Sequence, residues 1–256
     1  MINDFPEELS SSNYPWNDNL FKVDESSPKL SKEQREIFHT FVAKALFLCK
    51  RARPDIQPAI AFLTTRVKAP DEQDWFKLKK MMCYLNSTQK DVLVLHADEF
   101  NNIIWHLDAS FAVHNDKKSH TGATMTLGGG SITSVSTKQK INTRSSTEAE
   151  LVSIDDIISK VLWTKRFLQE QGYVVNQNIM MRDNISSMKL ENNGKTSSGK
   201  RTRHFDIKYF YITDLIARKE VSIQYCPTDD MVADYMTKPL SGAKFHKFRK
   251  AVMNNG

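Results

Sequence analysis

The spacing of hydrophobic residues changes once along this chain of 256 residues, close to residue 88. Before that point, apolar side chains recur every three or four residues, which predicts amphipathic helices in 31–88. After it, residues 103–113 alternate strictly, with Trp105 and Leu107 on one side and Asp108 on the other, which predicts a half-buried strand. The chain therefore combines an α-helical part with a sheet.

The order of elements after residue 88 narrows the fold class further. The strand at 103–113 and two strands at 122–127 and 132–136 predict an antiparallel meander, with Gly128-Gly129-Gly130 as a hairpin turn. A long helix over 146–171 follows, with Trp163 expected in the core. Further elements are expected in the order strand 178–182, helices near 185–191 and 205–218, strand 221–225, and a last helix from about 228. A helix that connects two strands after a meander predicts a mixed five-stranded α/β (α+β) sheet flanked by helices.

Composition excludes several classes of protein. Positive charge slightly exceeds negative charge, with 36 Lys and Arg against 30 Asp and Glu, and the excess lies in residues 101–256. Such a basic surface attracts polyanions, of which nucleic acid is the commonest. The three cysteines are far apart and form no CxxC pair, which argues against a disulfide framework and a structural zinc site. We therefore expect a reducing, intracellular and cytoplasmic location.

The chain shows neither a secretory signal nor an apolar run long enough to span a membrane, so no membrane partner is expected. Residues 1–30 are rich in Pro, Asn and Ser and predict an extended arm or linker, in which Trp16 and Phe21 are candidates for docking. The remaining divisions are a helical subdomain at 31–95, the sheet-containing domain at 100–240, and a basic C-terminal tail at 241–256.

Four acidic residues occupy positions that this topology can bring together. Asp108 lies on the polar side of the first long strand, Glu150 in the first turn of the long helix, Asp183 at the end of a strand, and Asp234 in the last helix. Taken alone, none of these acids indicates a functional site, since Asp often ends strands and Glu is favourable at a helix N-terminus. Several carboxylates without Cys or His suit a hard cation such as Mg²⁺ or Mn²⁺, and paired ions support phosphodiester hydrolysis.

The segments around these acids resemble the ribonuclease H domain of copia-type LTR-retrotransposon polyproteins. The matching motifs are Asp108-Ala109-Ser110, Ser119-His120-Thr121-Gly122, the run from Thr143 to Glu150, Arg182-Asp183-Asn184, Arg203-His204-Phe205-Asp206-Ile207, and the run from Thr228 to Leu240. The segment from Lys50 to Ile56 and the one from Trp75 to Leu85 resemble the connection that precedes this domain. The resemblance implies a ribonuclease H-like fold preceded by a small helical connection subdomain.

The resemblance also implies a catalytic and metal-binding set of three Asp and one Glu. Asp108, Asp183 and Asp234 match it directly, whereas the Glu is either Glu148 or Glu150. We choose Glu150, because the apolar part of the helix begins immediately after it and because it shares a helical stripe with Ile154. The implied cofactor is two Mg²⁺ ions, which Mn²⁺ can replace. The implied reaction is hydrolysis of the RNA strand of an RNA–DNA hybrid.

Polar and basic residues near these motifs are candidates for contacts with the hybrid. Asn184 and Ser187 are candidates for the 2′-hydroxyls of RNA, although both residue types also favour helix N-termini. Arg144, Ser145 and Ser146 precede the long helix, whose N-terminus favours a phosphate. The full candidate set comprises Ser110, Lys138, Lys140, Arg144, Ser145, Ser146, Asn184, Ser187, Arg201, Arg203, His204 and Lys208.

The Tyr-x-Asp-Asp turn of a polymerase does not occur, because Pro227-Thr228 precedes Asp229-Asp230. DNA synthesis by this chain is therefore not expected. The expected partners are an RNA–DNA hybrid and the polymerase and integrase parts of a parent polyprotein, with retroelement particles as a further expected setting. Two alternatives remain: an inactive nucleic-acid-binding remnant of a truncated element, and an integrase-type nuclease.

Overall fold

A mixed five-stranded sheet forms the centre of the second half of the chain. The computed structural model describes residues 1–98, 100–185, 188 and 211–255. The strands of this sheet are β2 (Asn102–Ser110), β3 (His120–Thr126), β5 (Thr133–Lys138), β6 (Gln177–Arg182) and β7 (Ser222–Tyr225). They lie in the order β5-β3-β2-β6-β7; β2 is antiparallel to β3 and parallel to β6, and β6 is parallel to β7. This is the expected mixed sheet of α/β class.

Helices cover much of the rest of the chain. The described ones include α1 (Lys32–Arg51), α2 (Gln57–Arg66), α3 (Glu72–Ser87), α4 (Ser146–Glu170), residues 211–217, the site helix (Asp234–Thr237) and the C-terminal helix (Gly242–Met253). Ser31 and Gln34 form a capping box at the start of α1, in which each side chain accepts from the other's backbone N–H. The last predicted helix is interrupted: Thr228–Asp230 forms a 3₁₀ turn before the site helix begins.

The Gly-rich segment is part of a second, two-stranded sheet. β4 (Gly128–Gly129) pairs antiparallel with β1 (His96–Ala97). The glycines also lie on the connection between the antiparallel strands β3 and β5, as the predicted hairpin requires, so the pairing with β1 is an additional feature. The pairing requires a close approach of the backbones. A Cβ on Gly128 would lie 2.6 Å from the backbone N of Asp98, and a Cβ on Gly129 would lie 2.2 Å from the ring of His96.

The main sheet packs against α4. Ile103, Trp105 and Leu107 are buried against the stripe of α4 that contains Ile154 and Val161, as the alternating and helical patterns predict. Trp163 is not in this core, which corrects the sequence prediction. It is 63% exposed, because two residues after Val161 the helix points away from the sheet, and it stacks on Phe167 at 5.0 Å.

A second hydrophobic core joins the two ends of the chain. The arm at 1–30 contains no helix or long strand, but its Trp16 and Phe21 are buried with residues of α1–α3. Phe245 and Phe248 of the C-terminal helix lie in the same core, so the basic tail at 241–256 is mostly a packed helix. The division of the chain into folding units at 30, 95 and 240 remains a prediction.

No helix among the described residues is long and apolar enough to cross a membrane.

Candidate metal centre

Asp108 lies near the middle of the sheet, where the site helix covers it. It is on β2 directly opposite Gly122 of β3, and the residue is 3% exposed. Thr237 of the site helix donates a hydrogen bond to its Oδ2. The helix approaches this closely because Gly122 has no side chain: a Cβ there would lie 2.4 Å from Cγ2 of Thr237 and 3.0 Å from the carbonyl oxygen of Ala233.

Glu150 and Glu148 have different surroundings, although both belong to the first turns of α4. Glu150 is buried, and its Oε2 lies 2.7 Å from Nη2 of Arg182. Arg182 is fully buried at the end of β6 and also donates to the carbonyl oxygen of Glu150 and to Ser153. Glu148 instead accepts a hydrogen bond from the backbone N–H of Arg144, 2.7 Å away. The geometry therefore gives Glu148 a role at the helix N-terminus and turns Glu150 toward Asp108.

Asp183 follows β6 and completes a group of three carboxylates. One oxygen each from Asp108, Glu150 and Asp183 lies within 4.8 Å of the others. Asp183 is partly exposed, and its Oδ2 accepts a hydrogen bond from the hydroxyl of Thr228 at 3.1 Å. The parallel pairing of β2 with β6 explains the meeting, because the two strands run toward the same edge and end close together.

Asp234 lies beside this group and is held by two lysines. Its Oδ1 is 2.5 Å from Nζ of Lys238, and its Oδ2 is 2.7 Å from Nζ of Lys244. Lys238 also lies 3.4 Å from Oδ2 of Asp108, so a single ammonium contacts both aspartates. Asp234 is 1% exposed. The ammonium of Lys238 therefore links Asp234 to Asp108, a member of the group of three carboxylates.

The electrostatics of Asp108 reflect this crowding. Burial raises the pKa of Asp108, the attraction of Lys238 opposes that shift, and the neighbouring Asp234 and Asp183 add to it. The net direction is upward, so the carboxylate is easier to protonate than an exposed aspartate. A bound cation would stabilise such a site, because its positive charge offsets the repulsion among the carboxylates.

The donor set fits a hard divalent cation. The three converging ligands are carboxylate oxygens, two of them from buried residues, and the group contains neither histidine nor cysteine. Mg²⁺ and Mn²⁺ prefer such oxygen donors, whereas zinc and copper favour nitrogen and sulfur. Asp108, Glu150 and Asp183 are therefore the residues that would hold an ion, with Asp234 available only if its lysine partners move.

The candidate nucleic-acid contacts fall into four groups. Lys140, Arg144 and Ser146 are exposed on the connection between β5 and α4 and at the start of that helix. Lys138 pairs with Asp116 at 2.7 Å, Asn184 is partly exposed, and Ser145 caps α4 by accepting from the N–H of Glu148. Ser110 is buried next to the site. The predicted contacts Ser187, Arg201, Arg203, His204 and Lys208 lie outside the described residues.

Several site residues were not predicted. Lys238 follows Asp234 by four residues, which is the spacing of a helical ion pair, so its sequence position offered a signal. Arg182 offered another, since an arginine at the end of an apolar strand needs a buried partner. Nothing in the sequence indicated Thr237 or Lys244, because their contacts depend on how the C-terminal segment folds over the sheet.

The order of the five strands and the helices that flank them define a ribonuclease H-like fold. Sequence comparison then gives the relatives: the chain is homologous to copia-type Pol polyproteins over about four fifths of its length. It is 28% identical over 216 residues to the Retrovirus-related Pol polyprotein from transposon TNT 1-94 of Nicotiana tabacum, covering 84% of this chain and 16% of that protein. It is 30% identical over 202 residues to the corresponding polyprotein from transposon RE1 of Arabidopsis thaliana, covering 78% and 14%.

The chain thus spans about one sixth of the length of these curated relatives. Among solved structures, LC11-RNase H1 isolated from compost matches 54% of this chain and 93% of its own, with 14% identity and a TM-score of 0.39. No family model matches the chain. The resemblance to copia-type polyproteins that the motifs predict is confirmed.

Proposed function

We propose that this chain is a metal-dependent endoribonuclease that hydrolyses the RNA strand of RNA–DNA hybrids. One observation supports the proposal most directly: oxygens of Asp108, Glu150 and Asp183 converge within 4.8 Å at the centre of a ribonuclease H-like sheet. Its relatives are Pol polyproteins of transposons, which supports the proposal of nucleic acid as the substrate.

The chain's own residues would bind the ions and keep the carboxylates in place. Thr237 fixes the orientation of Asp108, and Arg182 fixes that of Glu150. When bound, two divalent cations supply Lewis acidity, which makes a water nucleophilic near neutral pH and stabilises the leaving oxygen. We expect cleavage to leave 5′-phosphate and 3′-hydroxyl ends.

The exposed basic residues would hold the hybrid. Lys140 and Arg144 lie at the N-terminal end of α4, the helix that carries Glu150, so a phosphate bound there lies close to the acidic group. Asn184 directly follows Asp183 and is the described candidate for a 2′-hydroxyl contact. The residues at 187 and 201–208 remain candidates from the sequence.

The proposed setting is the C-terminal part of a retrotransposon reverse transcriptase, since the chain corresponds to a small share of each relative. Polymerase and integrase parts of a parent polyprotein would then be its partners, in the cytoplasm and within retroelement particles. DNA synthesis is not proposed for this chain.

The test is cleavage of a hybrid labelled separately on each strand, with Mg²⁺ or with EDTA. Two variants two residues apart form a matched pair: Glu150→Gln removes a proposed ligand, whereas Glu148→Gln changes a residue that accepts a backbone hydrogen bond. We expect the wild type and Glu148→Gln to cut only the RNA strand, and Glu150→Gln or EDTA to reduce cutting by at least about a hundredfold.

Tight, salt-sensitive hybrid binding by a folded chain without cutting would contradict the proposal and support the inactive remnant. DNA strand transfer would instead support the integrase-type nuclease. Equal loss of activity in both variants would mean that the N-terminus of α4, and not the Glu150 carboxylate, is what cleavage requires.

A further inference from the structure

An ammonium group lies between two buried carboxylates of the candidate centre. Nζ of Lys238 is 2.5 Å from Asp234 and 3.4 Å from Asp108. The two aspartate side chains are at most 4% exposed, whereas the Lys238 side chain is 40% exposed. The Lys238 side chain is therefore partly open to solvent, whereas the two carboxylates that its ammonium contacts are buried.

The backbone explains how Lys238 reaches this position. It is the residue that ends the site helix, and its φ of −133° and ψ of 139° are extended. Pro239 follows it, and a residue before proline is restricted to this extended region. Its N–H still bonds to the carbonyl oxygen of Asp234, 3.1 Å away, which keeps the side chain beside that residue.

Charge balance requires a cation at this place. Two carboxylates that share a buried site repel each other, and each is costly to keep ionised without a partner. The ammonium of Lys238 supplies this cation, because it contacts a carboxylate oxygen of each aspartate.

Lys244 provides an internal comparison. Its Nζ lies 2.7 Å from the other oxygen of Asp234, and among the described residues this is its carboxylate contact. It also lies 5.4 Å from the ring centroid of Phe248 on its own helix. Both lysines therefore neutralise Asp234, but Lys238 alone of the two bridges to Asp108.

We infer that Lys238 is a built-in cation of this centre, which competes with a divalent metal ion for Asp108 and Asp234. The inference rests on the proposed metal-dependent function, and it adds the order in which two metal ions bind. One ion can bind Asp108, Glu150 and Asp183 while Lys238 stays in place. A second ion that uses Asp234 requires the ammonium to withdraw, which the 40% solvent exposure of the Lys238 side chain permits.

Metal binding by the full chain tests this without any measurement of cleavage. Mn²⁺ is titrated calorimetrically into the wild type, Lys238→Met and the matched control Lys244→Met. We expect Lys238→Met to bind the weaker ion at least about tenfold more tightly than the wild type, a change of about 1.4 kcal/mol. We expect Lys244→Met to show a smaller change, since the bridge to Asp108 remains.

Thermal unfolding in EDTA and in Mn²⁺ provides the second measurement. Lys238→Met leaves two buried carboxylates without the cation between them, so its melting temperature in EDTA falls below that of Lys244→Met. Because a ligand that binds only the folded state stabilises it, saturating Mn²⁺ restores Lys238→Met more than it raises the other variants. Lys238→Arg keeps the charge and is expected to behave like the wild type.

Equal stoichiometry and affinity in all three chains would overturn the inference while leaving the proposed hydrolase intact. A Lys238→Met chain that is unfolded in EDTA and refolds in Mn²⁺ would support it. If Mn²⁺ binds to none of the chains, the metal-dependent function fails, and the inference fails with it.

Discussion

The hydroxyl of Thr237 donates a hydrogen bond to the carboxylate of Asp108, which joins the site helix to the central strand across 129 residues of sequence. The contact exists because the site helix lies directly on β3 at Gly122. The geometry of the candidate centre therefore depends on a glycine that carries no chemistry.

Gly122→Ala is expected to displace the site helix. The new Cβ would clash with Cγ2 of Thr237 and with the carbonyl oxygen of Ala233, and overpacking of this kind costs about 1–3 kcal/mol. We expect a lower free energy of unfolding in urea and weaker Mn²⁺ binding. The double variant Gly122→Ala/Thr237→Ser removes the closest clash but keeps a hydroxyl for Asp108, so it should recover part of both losses. Unchanged metal binding in Gly122→Ala would show that the helix position does not matter.

The N-terminal arm is expected to be essential for stability. Trp16 is 4% exposed, stacks edge-on against Tyr235 and Phe245, and donates from Nε1 to the carbonyl oxygen of Leu240 at 2.9 Å. Trp16→Ala should lower the free energy of unfolding by about 3–5 kcal/mol. Trp163→Ala is the matched control: it removes an exposed tryptophan and should cost about 1 kcal/mol or less. Similar losses in urea unfolding would contradict the buried role of the arm.

Two buried histidines should make the chain less stable as the pH falls. His114 and His120 are 3.0 Å apart, and His120 also bonds to Ser136. Burial lowers the pKa of His114 to about 4 and that of His120 to about 3, whereas both are near 6.5 when unfolded. Below pH 6.5 the unfolded chain therefore binds protons that the folded chain does not, and stability falls.

The expected slope is up to about 1.4 kcal/mol per pH unit for each histidine between pH 6.5 and pH 4. Urea unfolding at several pH values measures it. His114→Asn/His120→Asn should flatten the slope even if it lowers stability overall, whereas removal of the exposed His39 by His39→Asn should leave it unchanged. An equal slope in the wild type and the double variant would show that these histidines do not cause it.

Hybrid binding is expected to depend on salt through the start of α4. Lys140→Ala/Arg144→Ala removes two exposed charges, and each lost phosphate contact reduces the slope of log affinity against log salt by about one. Lys32→Ala/Arg35→Ala makes the same charge change on α1, beside Glu33 and Glu36, and should leave the slope nearly unchanged. Fluorescence anisotropy with a labelled hybrid in EDTA measures this salt dependence for both double variants. Equal slopes in the two would show that Lys140 and Arg144 do not contact the hybrid.

Local patterns predicted much of the fold. The alternation around Trp105 placed β2 and its buried face correctly, and the capping box at Ser31 marked the start of α1. The helical stripe through Ile154 placed Glu150 on the buried face of α4 and Glu148 on another face. These predictions succeeded because side-chain direction within one element follows from its own period. The prediction that Trp163 lies in the core was wrong, because its position on α4 is outside the apolar stripe, although the residue itself is hydrophobic.

Residue patterns alone were sufficient to predict the class of the fold, its likeness to copia-type polyproteins, and four acidic residues as candidate metal ligands. The contacts that hold these acids in position became known only from the folded chain. It placed Lys238 between Asp108 and Asp234, Arg182 against Glu150, and Trp16 in one core with the C-terminal helix. These contacts join residues far apart in the chain, and hydrophobic period carries information only about neighbours within a single helix or strand.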